Sequence, residues 1–405
     1  MRILKVVQAY FPFQEKGGPV VKVRSIALGL AARGHSVTVL TTNYGLRSTL
    51  PPRFAIEKVK SGLSAEENGV TAIYLRSFGR YRALTLNPGV ISFAAGSVSH
   101  FDLAHIYGLY DLLGPAVAFF CRRRGIPYVV EPMGMYRPIV RNLRMKKIYH
   151  RALGDRLLSE ANRLVATSEQ EKQELIRGGI EKERIIVRRN GIEAPRTFPA
   201  PGTFRQQWRI SSRAKLILYL GRLVPKKSPN LLIDAFVRWR HASRDGAESV
   251  LVLAGPGGGN GYGASLKVHA QSSGVSECVL FTGPLYDDAK WAAYRDTDVF
   301  VLPSQNENFG NSAAEAVACG TPVIVTDQCG IATIIAERAG LVVTHDAGAI
   351  AKALGLILGD SNLAAQFRVG CAEVAANLTW DEPLTHMELL YRETAAGTRR
   401  SEMAF

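Results

Sequence analysis

The sequence predicts an α/β protein of two Rossmann-like domains, each built around its own parallel sheet. At 405 residues the chain is long enough for two domains of ordinary size, each burying a core. Short apolar runs alternate with helix-length segments, which is the pattern of repeated βαβ units. The alternation occurs twice, and a stretch at 193–213 with three prolines and few apolar positions separates the two series.

The predicted strands define the two domains. The first series has six apolar runs, at 3–8, 37–41, 72–76, 103–106, 128–130 and 163–166. The second series has six more, at 215–220, 250–254, 278–282, 299–303, 322–325 and 340–343. With the first part of the proline-containing stretch as a linker, we predict one domain at 1–200, another at 201–382 and a last helix from about 383 to 405.

The positive charge of the chain is concentrated in its first half. Residues 1–200 hold 31 Lys and Arg against 15 Asp and Glu, a net charge of +16, and residues 201–405 hold 19 against 20, a net charge of −1. A basic first half favours a polyanion or an anionic membrane as partner. No zinc finger, helix-turn-helix pattern or interleaving of aromatic and basic residues supports nucleic acid, so we expect no nucleic-acid partner.

Cysteine use and hydrophobicity favour a cytoplasmic protein. The five cysteines are odd in number and scattered, without C-x-x-C spacing, which argues against a disulfide framework and a zinc site. The apolar start, MRILKVVQAYFPF, has only strand length and lacks the longer core of a signal peptide. No segment approaches the about 18 apolar residues of a membrane span. We expect a cytoplasmic location, with peripheral contact at the inner face of the membrane left open.

The most informative segment, at 303–327, reads PSQNENFGNSAAEAVACGTPVIVTD. It places Glu307 and Glu315 eight positions apart around a Phe-Gly-Asn-Ser turn, between a predicted strand and a predicted helix. The first N–H groups of that helix would point into the loop and favour an anion such as phosphate. Two carboxylates, which only accept hydrogen bonds, beside an anion site suit a ligand with both hydroxyls and phosphate. A nucleotide sugar is such a ligand.

With this segment the chain resembles the retaining glycosyltransferases of family 4, whose hallmark is a Glu-x(7)-Glu motif within PS-x-x-E-x-F-G-x-x-x-x-E-A-x-A-x-G-x-P-V. The match is unbroken over 303–323. Further matches occur in order along nearly the whole chain: GGPVVKV (17–23), RGHSVTVLTT (33–42), ATSEQEKQEL (166–175), RNGI (189–192), GRLVPKKSPNLLIDAF (221–236) and LAGPG (253–257). The resemblance implies the GT-B fold, in which two Rossmann-like domains face each other with the ligand between the carboxyl ends of their sheets. It also implies that the last helix completes the first domain, which is the acceptor side.

The resemblance implies a role for each matched residue. Glu307 would hold the hydroxyls of the donor sugar, and Glu315 those of the ribose. Arg222 and Lys227 would take up the charge of the leaving diphosphate. The remaining matched positions would contact the donor closely, mainly through the backbone: Gly17, Gly18, Gly221, Phe309, Gly310, Asn311 and Ser312.

The implied reaction is sugar transfer with retention of configuration. No matched side chain is placed as a nucleophile, and the family is generally discussed in terms of a front-face reaction in which the leaving phosphate takes the acceptor proton. Arg222, Lys227 and Glu307 would form the catalytic set, acting by orientation and charge stabilisation. A UDP- or GDP-sugar would be the co-substrate, and we expect neither a cofactor nor a metal.

Two further motifs are set aside as ligand sites. Asp296 and Asp298 have the spacing of a divalent-cation site, but they directly precede the strand that leads into the glutamate motif, where the family has a helix-to-strand junction. Arg222 and Lys227 would already supply the positive charge. The glycine-rich run at 255–263 is neither a Walker loop nor a strict G-x-G-x-x-G. We interpret it as a flexible surface loop with only its first glycines near the nucleotide.

One position departs from the family pattern. Many members have a His-Gly pair where this chain has Met133 and Gly134, after the strand of YVVEPMGM. Methionine cannot donate a hydrogen bond, so either the imidazole is dispensable or another group serves. His105, at the end of the preceding predicted strand, is a candidate on the acceptor side together with Met133 and Gly134. The alternative for His105 is a histidine packed beneath the loops of the first domain.

Other function classes remain to be weighed. A nicotinamide dehydrogenase is disfavoured because the strict glycine fingerprint is missing after the first strand. A sugar-nucleotide epimerase of similar architecture would lack the Glu-x(7)-Glu pair. A catalytically inactive scaffold that binds nucleotide sugars stays open, since Met133 could be a sign of lost activity.

A basic segment at 137–156, RPIVRNLRMKKIYHRALGDR, predicts the kind of acceptor. A helix here would have a cationic face and an apolar face that is available to the domain surface or to a membrane interface. We expect an anionic or membrane-held acceptor, most simply a saccharide or lipid-linked saccharide used in assembling a cell-surface polysaccharide or lipopolysaccharide. A solvated basic helix is the alternative. The basic residues are Arg137, Arg141, Arg144, Lys146, Lys147, Arg151 and Arg156.

Overall fold

The chain forms two compact units, each with one sheet flanked by helices. The computed structural model describes residues 1–13, 17–43, 56–59, 62–81, 84–136, 143–243, 246, 248–257 and 261–402. One unit comprises Met1–Asn190 together with Trp380–Phe405, and the other comprises Gly191–Thr379.

The first unit contains a mostly parallel sheet. Its elements up to residue 190 are β1 (Arg2–Val7), α1 (Gly18–Ala32), β2 (Ser36–Thr42), β3 (Ile56–Val59), β4 (Gly62–Glu67), β5 (Val70–Leu75), β6 (Gly79–Tyr81), β7 (Leu84–Leu86), α2 (Gly89–Ser97), β8 (Leu103–Tyr107), α3 (Leu113–Arg123), β9 (Tyr128–Glu131), α4 (Leu143–Tyr149), α5 (Asp155–Ser159), β10 (Arg163–Ala166), α6 (Glu169–Arg177) and β11 (Ile185–Val187). The sheet has the order β11-β10-β9-β8-β1-β2-β5-β4-β3. All neighbours are parallel except in the antiparallel pairs β3–β4 and β4–β5, and β6 with β7 forms a separate hairpin.

All six strands predicted in this half are present, as β1, β2, β5, β8, β9 and β10. The sequence analysis missed β3, β4, β11 and the hairpin. β4 reads GLSAEE and has no apolar run, because this antiparallel strand near the edge of the sheet is held by its ladders to β5 and β3 and needs little apolar side-chain burial. β11 and the hairpin strands have only three residues each, too few to give a period.

The second unit contains a fully parallel sheet. Its elements are α7 (Thr203–Gln207), β12 (Lys215–Leu220), α8 (Pro229–Ala242), β13 (Ser249–Ala254), α9 (Tyr262–Ser272), β14 (Val279–Gly283), α10 (Asp287–Asp296), β15 (Val299–Leu302), α11 (Asn311–Ala318), β16 (Val323–Thr326), α12 (Ala332–Ile335), β17 (Gly340–Val343), α13 (Ala347–Gly359) and α14 (Ser361–Ala376). The strand order is β14-β13-β12-β15-β16-β17. All six predicted strands are present, with bounds within one residue of those predicted.

Each sheet has a point at which the strand order reverses, between β1 and β8 in the first unit and between β12 and β15 in the second. Open α/β sheets bind ligands outside the carboxyl ends of the strands at such a point. In the second unit the segments after β12 and β15 carry Arg222, Lys227 and Glu307. The topology therefore brings these three residues to one edge of one sheet.

The boundary between the units lies at Asn190 and Gly191, ahead of the predicted boundary after residue 200. The predicted linker packs on the second unit: Phe198 contacts its core, and Arg295 Nη1 donates to the Pro199 carbonyl over 2.6 Å. Further along the same stretch, Phe204 is completely buried in that core. The few apolar residues of this stretch thus pack in or against the core of the second unit, although its three prolines made it resemble a linker.

The last helix, α15 (Asp381–Glu402), belongs to the first unit. Leu384 packs against Gly29 of α1, where a Cβ would approach its Cδ1 to 2.4 Å. Arg33 donates to the Glu388 carboxylate over 2.8 Å, and Tyr391 is completely buried. Among the helices of the described ranges, none has the length and hydrophobicity needed to cross a bilayer.

Candidate active site

The loop that carries Glu307 is held on both sides by backbone hydrogen bonds. The Glu307 N–H donates to Gln328 O over 2.9 Å, and Gly330 N–H donates back to Glu307 O over 2.9 Å. The Gln305 N–H donates to Lys226 O over 3.0 Å, which ties this loop to the segment that follows β12. These bonds fix the backbone from which the Glu307 side chain projects.

Gly310 allows the sharp change of direction from this loop into α11. Its φ is +111°, a value that side-chain-bearing residues rarely adopt, and a Cβ there would lie 2.9 Å from Ile331 Cγ2. Phe309 beside it is buried and anchors the turn, with its carbonyl accepting from Ile331 N–H over 2.7 Å. No side chain caps α11, so Asn311 and Ser312 begin a helix whose first N–H groups are oriented toward the loop.

Lys227 and Glu307 form an ion pair at the edge of this loop. Their side chains are 19 % and 16 % exposed, and the paired oxygen, Glu307 Oε2, is itself buried, so the pair is only partly accessible from solvent. Burial, and after it the positive charge of Arg222, lowers the pKa of Lys227 to about 7.

Glu315, one turn into α11, is held by two residues of α10. Lys290 Nζ lies 2.8 Å from Glu315 Oε1, and the Tyr294 hydroxyl donates to Oε2 over 3.0 Å. The Glu315 side chain remains 16 % exposed. The sequence analysis missed both partners. Their i, i+4 spacing places them on one helix face, but only the packing of α10 beside α11 shows that this face meets Glu315.

The loop after β12 is in close contact with the glycine-rich segment after β13. A Cβ at Gly255, whose φ is +151°, would lie 1.8 Å from the Gly221 carbonyl oxygen. The Leu223 N–H donates to Pro256 O over 3.0 Å, and the Tyr219 hydroxyl donates to Arg222 O over 2.8 Å. The start of the glycine-rich run therefore packs closely against Gly221. Residues 258–260 lie outside the described residues.

Asp296 and Asp298 are occupied by donors of the protein itself. The Asp296 carboxylate accepts from the N–H groups of Gly202, Phe204 and Arg205 over 2.6 to 3.0 Å, at the start of α7. Asp298 Oδ2 accepts from Arg205 Nη2 over 2.9 Å and from Leu216 N–H over 2.7 Å. Both carboxylates join the 191–210 segment to the sheet. Within the described ranges, no group of three or more His, Cys, Asp or Glu forms a candidate metal site.

In the first unit, Gly17 and Gly18 mark the start of α1. Gly17 has φ +85°, and α1 begins at Gly18 without a side-chain cap. Four residues into this helix, Lys22 forms an ion pair with Glu131, the last residue of β9. Arg188 Nη2 also donates to both carboxylate oxygens of Glu131, over 2.9 and 2.8 Å. This charge cluster is almost completely buried, and the sequence analysis did not identify it.

The structure corrects the prediction for His105. The residue lies in the middle of β8, not at its end, and its ring is completely buried. Its Nδ1 lies 2.5 Å from the Tyr391 hydroxyl, and its ring stacks on Tyr107 with centroids 4.0 Å apart. Burial, and after it the charge of Lys5, lowers the pKa of His105 well below its usual value. A buried, neutral ring cannot approach an acceptor, which favours the packed-histidine alternative, although Nε2 of this ring has no hydrogen-bond partner among the described residues.

Met133 and Gly134 form a turn with φ values of +55° and +70° after β9. The buried Glu171 carboxylate holds this turn, because Oε1 accepts from Gly134 N–H over 2.5 Å and Oε2 accepts from Thr167 N–H over 2.8 Å. The Met133 side chain covers Gly108, where a Cβ would lie 3.3 Å from its Cε. Met133 therefore packs, and the sequence analysis missed Glu171 as the residue that fixes the turn.

The basic segment is not one continuous α-helix. α4 is followed by a π-helical turn at His150–Gly154 and then by α5. Leu143, Met145 and Ile148 of α4 are 46 %, 53 % and 60 % exposed, and Arg144 and Lys147 beside them are exposed as well. Arg137 and Arg141 lie outside the described residues. α4 thus presents apolar and cationic side chains to solvent together.

Two protein-family models match the chain, one in each unit. The model described as Glycosyl transferases group 1 matches residues 202–370, and the model described as Glycosyl transferase 4-like domain matches residues 17–191. D-inositol 3-phosphate glycosyltransferase of Salinispora arenicola is 31 % identical to this chain, over 77 % of this chain and 73 % of its own length.

Solved structures of similar fold cover almost the whole chain. Anabaena Alr3699/HepE in complex with UDP and glucose has a TM-score of 0.77 at 18 % identity, covering 97 % of this chain and 100 % of that chain. Sucrose-phosphate synthase from Thermosynechococcus elongatus has a TM-score of 0.72 at 21 % identity, covering 98 % and 99 %. At these identities the likeness shows the fold alone. That fold is GT-B, which confirms the predicted fold class.

Proposed function

Since the chain belongs to the GT-B glycosyltransferases of family 4, we propose that it transfers a sugar from a UDP- or GDP-sugar to an acceptor hydroxyl with retention of configuration. The placement of Arg222, Lys227 and Glu307 supports this proposal best. All three follow strands β12 and β15, which flank the switch point of the sheet. The partly exposed Lys227–Glu307 pair joins the segment after β12 to the loop that leads into α11.

The proposed chemistry depends on charge placement more than on a covalent step. Arg222 and Lys227 take up the negative charge that develops on the leaving diphosphate. As the bond from C1 of the sugar to that phosphate breaks, the bond to the acceptor oxygen forms on the same face, and the acceptor proton passes to the leaving phosphate oxygen. Glu307 orients the sugar hydroxyls, and Glu315 accepts from the ribose hydroxyls. Gly17, Gly18, Gly221 and the 309–312 backbone allow close approach of the donor.

We propose that this transfer needs no metal ion. Two fixed cations, Arg222 and Lys227, supply the positive charge that a metal would bring to the diphosphate. The Asp-x-Asp pair supports the same proposal, because Asp296 and Asp298 already accept hydrogen bonds from backbone N–H groups and from Arg205. Activity measured in EDTA tests it, and an absolute requirement for Mn²⁺ or Mg²⁺ would contradict it.

The preferred acceptor is a lipid-linked saccharide at the inner membrane face, of the kind used to assemble cell-surface polysaccharide or lipopolysaccharide. Exposed Leu143, Met145 and Ile148 beside exposed Arg144 and Lys147 support it, since an interfacial helix combines apolar and basic residues in this way. Each Lys or Arg near an anionic leaflet contributes about 1 kcal/mol, and the attraction weakens with salt.

Vesicle binding tests this acceptor class. We expect the protein to bind vesicles that contain anionic lipid at low salt, and to bind them less at high salt. Ile148→Ser and Lys147→Glu should each weaken binding, whereas Lys352→Glu, which alters an exposed lysine of the second unit, should not. Equal and negligible binding under all conditions would favour a soluble acceptor.

A soluble phosphorylated cyclitol is the second candidate acceptor. The name of the Salinispora relative, a D-inositol 3-phosphate glycosyltransferase, favours it. A phosphate on a small acceptor would also suit the basic first half of the chain.

Nucleotide release from a panel of donors decides between transfer and an inactive scaffold. The protein is incubated with UDP- and GDP-sugars, alone and with either D-inositol 3-phosphate or a lipid-linked saccharide, and released nucleotide is measured. We expect release that depends on one acceptor and that is lost in Glu307→Gln. Nucleotide binding without acceptor-dependent release from any donor would favour the inactive scaffold.

A further inference from the structure

The carboxylate of Glu315 is only partly used by the protein. A carboxylate has about four lone-pair positions, and Lys290 and Tyr294 occupy one on each oxygen. The side chain is still 16 % exposed, so acceptor capacity remains on the solvent side. The two donors fix the direction of the carboxylate. Its remaining lone-pair positions are free to accept hydrogen bonds from a ligand.

Both donors are themselves held in place. The Tyr294 ring is completely buried and packs edge-on against Phe300, with centroids 5.6 Å apart. Lys290 Nζ lies 4.5 Å from the centroid of the Trp291 ring, so the ammonium is held between an aromatic face and Glu315. The carboxylate therefore cannot rotate without losing two contacts to α10.

The energy of these contacts does not by itself explain the arrangement. Lys290 is 20 % exposed, and a partly exposed ion pair contributes about 0–1 kcal/mol to folding. The hydrophobic residues around it, among them Trp291 and Tyr294, already fasten α10 to the sheet. The direction that the two donors impose on Glu315 is the more specific consequence.

We propose that Lys290 and Tyr294 are positioning residues, which aim the Glu315 carboxylate so that it recognises the vicinal hydroxyls of a ribose. The inference rests on the proposed function, because it assumes a nucleoside diphosphate in the second unit. Lys290 and Tyr294 act through Glu315 and do not contact the nucleotide. Discrimination between a ribose and a sugar without these hydroxyls then depends on all three residues.

Nucleotide binding tests this proposal. The probe is whichever of UDP, GDP and ADP binds the wild-type protein most tightly, compared by calorimetry with its 2′,3′-dideoxy counterpart. We expect Lys290→Met and Tyr294→Phe each to weaken binding of the ribonucleotide by about tenfold, the effect of one hydrogen bond to a charged group. Binding of the dideoxy nucleotide should stay within about twofold, since it makes no contact that depends on the aim of Glu315.

Two further variants identify the route of the effect. Glu315→Gln should abolish discrimination, and adding Lys290→Met to it should cause no further loss, since the two residues act on the same contact. Lys352→Met, which removes an exposed lysine of α13, should bind both nucleotides as the wild type does.

The outcomes separate this inference from the proposed function. If the wild-type protein binds no nucleoside diphosphate, both fail. If it binds and discriminates, but Lys290→Met and Tyr294→Phe discriminate equally well or weaken both nucleotides alike, the positioning role is wrong and the glycosyltransferase assignment stands.

Discussion

Each unit contains a lysine–glutamate pair close to the carboxyl end of a strand, and the two pairs differ mainly in burial. Lys22 and Glu131 in the first unit are 4 % and 0 % exposed, and Arg188 contributes two more hydrogen bonds. Lys227 and Glu307 in the second unit are 19 % and 16 % exposed. The same two functional groups are thus almost completely buried in the first unit and partly exposed in the second.

Burial decides what such a pair can do. Removing one partner of a buried pair leaves an uncompensated charge in a medium that solvates it poorly. A completely buried pair is therefore needed for the stability of the fold. A partly exposed pair loses less stability when one partner is removed, because solvent reaches the remaining charge, and either partner can exchange its contact for a ligand. The comparison favours a structural role for Glu131, which ends a strand, and supports the ligand-binding role proposed for Glu307, which follows one.

The largest expected difference is in stability. Glu131→Gln leaves Lys22 and Arg188 without their counter-charge, and we expect it to lower the free energy of unfolding of the first unit by about 3–5 kcal/mol. Glu307→Gln should change the stability of the second unit by no more than about 1 kcal/mol. Urea unfolding followed by probes in each unit measures both, and equal losses in the two variants would remove the distinction.

The next largest effect is on catalysis. Arg222→Met or Lys227→Met should lower turnover about 100-fold or more, because a lost preorganised charge costs about 3 kcal/mol in the transition state. Circular dichroism and melting temperature should match the wild type, with Lys352→Met as a charge-matched control of unchanged activity. Wild-type turnover in a well-folded Arg222 or Lys227 variant would exclude that residue from the catalytic set.

A smaller effect on stability is expected at Asp298, a carboxylate that, like Glu131, accepts hydrogen bonds from other groups of the protein. Asp298→Asn weakens acceptance from Arg205 and Leu216 N–H, and we expect a loss of about 1–2 kcal/mol in unfolding free energy. The folded fraction should keep wild-type turnover in the presence of EDTA. A fall in turnover that added Mn²⁺ restores would instead assign a metal to this position.

The pH dependence sharpens the comparison further. The pKa of Lys227 is lowered to about 7, so the free enzyme loses this charge as pH rises through 7, and kcat/KM should fall about tenfold per pH unit above it. The unfolded chain keeps the proton up to its ordinary pKa of 10.5, so the contribution of this group to the free energy of unfolding rises with pH between about 7 and 10.5. In Lys227→Arg both dependences should disappear, because a guanidinium stays charged. The same alkaline limb in Lys227→Arg would assign it to another group.

The sequence was most informative where a local pattern carries the structure. All twelve predicted strands are present, since a buried parallel strand needs an apolar run that can be recognised from the chain alone. The polar strand β4 and the boundary at residue 190 could not be recognised in this way. β4 is held by its ladders to β5 and β3, and Phe204 joins a core whose other residues lie far away in the chain, with its N–H bound by Asp296.

The same division applies to the candidate site. The sequence by itself determined that Arg222, Lys227, Glu307 and Glu315 would follow strands or begin helices, because strand and helix ends are local properties. Only the tertiary structure decided which charged groups meet: Lys227 with Glu307, Lys290 with Glu315, and Glu131 with Lys22 and Arg188. It also decided that the His105 side chain is completely buried in the core. The physical reason is that burial and charge pairing depend on neighbours far away in the chain, which the strand order and helix packing bring together.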